Sequence, residues 1–178
     1  MIAAATALSF AHAAAQENPP APADAATQQP AAPEVTRRAV GDWTVVCEIS
    51  GSPCAMEQVG KTAAGEEAVV MQVEKLPKPT TVEGRRVVAV ANILTPRNAF
   101  LQPGVRLRID GGEARVYPYY ACQNNGCIAQ VALDETALTG LRRGARLAIT
   151  IAVFQPNGPA SGDVFVSLSG FTRAFEGI

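Results

Sequence analysis

The chain has 178 residues, room for one ordinary domain built on a single core. Charged residues make up only 17% and the formal net charge is -1, so there is no electrostatic case for nucleic acid or an anionic membrane as partner. Residues 41–178 alone carry 13 acids and 13 bases, so this part of the chain is neutral too.

Met1 to Phe10 is short and apolar, and two A-x-A sites follow, Ala11-His12-Ala13 and Ala13-Ala14-Ala15. The expectation is an export signal over residues 1–15, cleaved near Ala14 or Gln16. It lacks the usual basic n-region, which places the expected start upstream of Met1. No other run is long and apolar enough to cross a bilayer, so the mature chain is expected to have no transmembrane segment. Residues 16–40 read as a disordered linker, with Pro19, Pro20, Pro22, Pro30 and Pro33 set among Ala, Gln and Asp and no apolar periodicity.

At Gly41 the composition changes and strand signals dominate through residue 178. Trp43 to Cys47 is rich in β-branched and aromatic residues, and Val69 to Glu74 follows a glycine-containing turn. Val87 to Leu94 is apolar on both faces, which predicts a central strand covered twice. Val105 to Asp110 alternates: Val105, Leu107 and Ile109 point inward, and Arg106 and Arg108 point to water. Asp110-Gly111-Gly112-Glu113 predicts a tight turn, because glycine takes positive φ without a Cβ clash, and Arg115 to Tyr120 returns antiparallel. Cys127 to Leu133, Arg146 to Phe154 and Asp163 to Ser169 complete about eight strands. One short helix starts at Asp134, whose carboxylate can cap it; it turns Leu138 and Leu141 to the core and ends at Gly144. The expected fold is all-β, a single-domain antiparallel β-sandwich or barrel.

The four cysteines form two close pairs, Cys47 with Cys54 and Cys122 with Cys127. In an exported chain they read as two disulfides; of three possible connectivities the two local ones are favoured, since each closes a short loop holding turn formers. The spacing does not match a four-thiolate zinc site.

Chemistry is sparse. The only histidine, His12, lies in the expected leader, so Ser-His-Asp, Cys-His and His-metal mechanisms have no residue to use. No nucleophile elbow, dinucleotide fingerprint or phosphate loop occurs, and no cofactor is implied. Glu57, Glu66, Glu67, Glu74, Asp110 and Glu113 could in principle supply a glycosidase pair, but they read as solvated strand faces. Two arginine groups stand out. Arg106, Arg108 and Arg115 form a candidate binding surface across the hairpin, and Arg142, Arg143 and Arg146 cluster after the helix. Either could hold an anionic sugar, a lipid headgroup or a partner carboxylate. Tyr117, Tyr119 and Tyr120 read as core or edge residues, and Trp43 as core packing against a disulfide.

Five stretches together resemble the invasion-associated locus B family: Gly41-Asp42-Trp43-Thr44-Val45-Val46-Cys47 with Cys54; Pro103 to Asp110; Cys122-x4-Cys127 with Gly126 and Ala129; Leu138-x-x-Leu141-x-x-Gly144; and Ser167 to Phe175. They cover about residues 41–176 in order. The resemblance implies an exported envelope protein of a Gram-negative bacterium, in the periplasm or at the cell surface, from a family named for a role in host-cell invasion. It carries over no catalytic residue; by position it carries over Cys47, Cys54, Cys122 and Cys127. The short uncharged leader and the long Pro/Ala segment depart from its pattern. The expected function is non-catalytic binding to an envelope or host-surface protein or glycan. The runner-up is an inhibitor or chaperone of a periplasmic enzyme, with a loop from Gln155 to Asp163 as its probe.

Overall fold

Strand β3 (Cys54–Thr62) organises the molecule. One of its edges pairs along nearly its whole length with β4 (Glu67–Val82). The other edge is shared: Cys54 to Glu57 pair with β2 (Trp43–Glu48), whereas Lys61 and Thr62 pair with β11 (Gly158–Ser167). From β11 the antiparallel sheet continues through β10 (Arg146–Gln155) and β6 (Val105–Ile109) to β7 (Arg115–Tyr117). From β4 it continues through β5 (Arg85–Thr95) and β9 (Gly126–Asp134) to β8 (Tyr119–Gln123). A further strand, β1 (Val35–Val40), pairs among the described residues with β2 alone. Since only Pro118 separates β7 from β8, one stretch of chain forms both ends of the sheet, and the sheet curls into a nearly closed barrel. The computed structural model describes residues 34–178; the expected leader and residues 16–33 of the expected linker lie outside the described residues.

The barrel interior is the core. Odd-numbered residues of β10 (Leu147, Ile149, Ile151), even-numbered residues of β11 (Val164, Val166) and Met71, Val73, Ala91, Ile93 and Val131 meet there. Gly60 is required at the centre: a Cβ there would come within 2.7 Å of the Val69 side chain and 2.9 Å of Val164. Two helices pack against each other and against β9, β5, β1 and β2: α1 (Glu135–Arg143) and α2 (Phe171–Glu176). Asp134 caps α1 as expected, its Oδ1 accepting from the Ala137 N–H at 2.8 Å. Leu138 and Leu141 are buried. Two disulfides join Cys47 to Cys54 and Cys122 to Cys127, each linking directly opposed residues of an antiparallel pair.

The all-β barrel-like fold stands as expected, but among the described residues it has eleven strands and two helices. Strands β1 and β3 are additional, and the return strand Arg115 to Tyr120 divides at Pro118, which has no N–H for the ladder. β1 occupies residues 35–40, which the sequence reading gave to the linker; its exposed side chains carry no apolar period, and backbone pairing to β2 orders it. β5 is buried on one face only, since a barrel has a single interior: Val87, Ala89, Ala91 and Ile93 are buried, and Val88, Val90 and Leu94 partly so. The expected loop from Gln155 to Asp163 is a hairpin, with Gln155 paired to Gly158 and Pro156-Asn157 as its turn. The β4–β5 ladder is interrupted between Lys75 and Thr80, where Pro77 and Pro79 sit. Beyond Glu74, β4 has no pairing to β3.

Candidate functional site

Register decides which charged side chains share a face. Across β6, β10, β11 and β3, outward residues fall in rows. Arg106 pairs with Thr150 and Thr150 with Asp163; Arg108 pairs with Ala148, Ala148 with Phe165 and Phe165 with Lys61. Arg146 pairs with Ser167 in the next row. The barrel's outer wall therefore carries Arg106, Arg108, Arg146 and Lys61 around Phe165. The Arg146 guanidinium lies over the Phe165 ring, 4.6 Å from its centroid. Arg108 is held by Asp163 at 3.3 Å, and Asp163 also accepts from Thr150 Oγ1 at 2.6 Å. Lys61 reaches Glu67 only at 4.0 Å. Arg106 and Arg146 form no ion pair with a described residue. Beside Phe165 runs a groove edged by Asp42, Gln58, Lys61 and Ser167. Its base is braced: Ser167 Oγ donates to Asp42 at 2.6 Å, and the Ser167 N–H donates to Gln58 Oε1 at 2.7 Å.

Arg115 does not belong to this face. It pairs with Leu107, an inward position, so its side chain leaves on the opposite side of the sheet from Arg106 and Arg108. There it lines a cleft between β7 and β9 beneath α1. The candidate trio is thus split, and strand order brings beside Arg108 both Arg146, which the sequence reading grouped with Arg142 and Arg143, and Lys61, which it did not single out for binding. The second arginine group is also divided. Arg142 sits 5.4 Å from the Phe175 ring on α2, while Arg146 turns to Phe165.

The carboxylates are dispersed among separate partners. Glu57 pairs with Arg37, Glu74 accepts from Asn92, and Glu113 edges the cleft. Asp110 accepts backbone bonds from Ala145 at 2.9 Å and Arg146 at 2.8 Å, which hold its carboxyl below the usual range, the Ala145 bond most of all. Among the described residues no group of three or more His, Cys, Asp or Glu could hold a metal ion. Trp43 is buried as expected, but its edge-on ring partner is Phe171, at 5.4 Å between centroids. Tyr117 lines the cleft and Tyr119 packs against the core, whereas Tyr120 is 75% exposed. No described helix is long and apolar enough to cross a membrane.

A family model described as "Invasion associated locus B (IalB) protein" matches residues 43–178. Invasion protein B of Bartonella bacilliformis is 22% identical over 137 residues, covering 76% of this chain and 70% of that protein. The crystal structure of invasion associated protein b from Bartonella henselae aligns with a TM-score of 0.60 at 24% identity, over 79% of this chain and 94% of that one. At this identity the structural likeness establishes a shared fold.

Proposed function

Because the chain belongs to the invasion associated locus B family, we propose that it is an exported, non-catalytic protein of a bacterial envelope whose cationic outer face binds an anionic partner at the envelope or host-cell surface. The observation that carries this is the register placing Arg106, Arg108, Arg146 and Lys61 on one wall of a rigid barrel. Among the described residues neither Arg106 nor Arg146 forms an ion pair, so an incoming sulfate, phosphate or carboxylate meets positive charge already in place. Phe165 adds an aromatic surface beside them, the combination that suits an acidic sugar. Two cross-strand disulfides suit an oxidising compartment and hold the strand pairs in register. Glu57, Glu74 and Asp110 are held by separate structural bonds, which supports a binding role over hydrolysis.

The test combines location and binding. Intact cells are treated with protease beside a periplasmic marker, and the purified wild-type protein is compared with R106E/R146E for binding to erythrocytes. Digestion with the marker intact, and loss of binding in the variant, support a host-surface role. Equal binding by both proteins would sink the cationic-face reading. Protection of the domain until the outer membrane opens would move the partner to the periplasm.

A further inference from the structure

The barrel has a seam. Arg115–Gln123 forms both sheet ends, pairing with β6 before Pro118 and with β9 after it. Extending the Tyr119–Ala129 register would set Tyr117 opposite Val131 and Arg115 opposite Leu133, yet no backbone hydrogen bond joins β7 to β9. Where that ladder is missing lies a cleft of about 240 Å³, walled by Leu107, Tyr117, Val131, Leu133, Leu141 and Leu147 and roofed by Ala137 of α1. Its rim carries Glu113, Arg115 and Thr136. Neither Glu113 nor Arg115 forms an ion pair with a described residue.

We propose that this seam binds one acyl chain of a single-chain phospholipid with a zwitterionic head, the chain entering the cleft and the head resting on Arg115 and Glu113. Three observations select that occupant. The volume falls below the ~300–1,000 Å³ of ordinary small-molecule pockets, so it admits one chain and not a two-chain lipid. An added peptide strand is too wide: Cα atoms of β7 and β9 approach within 8 Å, whereas a strand inserted between two others needs about twice the ~4.7–4.9 Å inter-strand spacing. The rim carries one charge of each sign. A phosphate pairs with the Arg115 guanidinium and an ammonium with the Glu113 carboxylate, while a fatty acid would leave Glu113 facing a like charge. The site is separate from the cationic outer wall, on the other side of the β6–β7 sheet.

The experiment is calorimetric titration of the full disulfide-bonded chain with three probes below their micelle concentrations: lysophosphatidylethanolamine with a medium-length acyl chain, the fatty acid of the same chain, and an alkyl glucoside of matched length. Lysophosphatidylethanolamine should bind tightest, with the negative heat-capacity change of apolar burial. Arg115→Gln should weaken it about tenfold and leave the glucoside unchanged. Ala137→Leu, which fills the roof, should abolish binding of all three. Thr136→Trp closes the mouth from an exposed rim position and serves the same purpose should Ala137→Leu fail to fold. Undiminished binding by a folded occluded variant would overturn the site. Equal affinity for the glucoside or the fatty acid, or no effect of Arg115→Gln, would overturn the zwitterionic head. Failure here leaves the outer-wall reading intact, since R106E/R146E touches no cleft residue.

Discussion

The Asp110 carboxylate accepts the Arg146 backbone N–H at 2.8 Å, tying the β6–β7 turn to the first residue of β10. Asp110 itself has φ 47°, in the left-handed region where Asn is also at ease, so Asp110→Asn keeps the turn and removes the charge. A carboxyl whose folded pKa is depressed adds stability above its unfolded value and loses it as pH falls through the folded one. The wild type should therefore melt higher than Asp110→Asn at neutral pH. The gap should persist down to about the ordinary value of 3.8 and close below it. Thermal melts of both proteins across pH 2–7 check this; a gap independent of pH would mean the backbone bonds do not favour the ionised form.

Each disulfide closes a short loop, with sequence separations of 7 and 5. In the chain-entropy account each contributes about 2–2.5 kcal/mol. The double replacements C47A/C54A and C122A/C127A should each lower the unfolding free energy read from urea titration by that order in the absence of reductant. Adding dithiothreitol to either variant should produce a further drop from the remaining bridge.

Trp43 and Phe171 form the aromatic joint between β2 and α2. Both are almost fully buried, and the Trp43 indole N–H donates to the Ser167 carbonyl at 3.1 Å. Phe171→Ala leaves a cavity beneath the indole and should cost about 3–5 kcal/mol. Denaturant unfolding should show a lower midpoint at nearly constant slope, and near-ultraviolet circular dichroism should lose the fixed tryptophan signal.

Charge reversal at Arg106 and Arg146 should weaken retention on an immobilised polyanion such as heparin and flatten its dependence on salt. Arg115→Glu, on the other side of the sheet, should elute with the wild type. Elution at equal salt by all three proteins would deny the outer wall a role in anion binding.

The strands with a period of two were legible, and so was α1, whose Asp134 cap and Gly144 stop stand in sequence where they act. β3 was hidden because its core face includes Gly60, small by necessity, while Glu57, Gln58 and Lys61 give it a polar composition. β1 has no buried side to announce it. α2 is too short for a helical period, and Phe171 and Phe175 are recognisable as core only once β2 lies above them. The site failed at one step of register. Arg115 reads as a neighbour of Arg106, but pairing it with Leu107 reverses its face, and sequence alone does not count the residues a turn consumes. Conversely, Arg146 and Lys61 lie 85 residues apart in the chain and join only through β11.

At the outer end of the β4–β5 arm, one edge of β4 from Lys75 to Val82 pairs with no strand among the described residues. Bare strand edges invite neighbouring molecules to add their own strands and so seed aggregates. Pro77 and Pro79 stand on that stretch without N–H groups to offer, and Lys75 and Lys78 would bring like charges together in a symmetric pair. Both features work against edge-to-edge pairing of two copies through this arm.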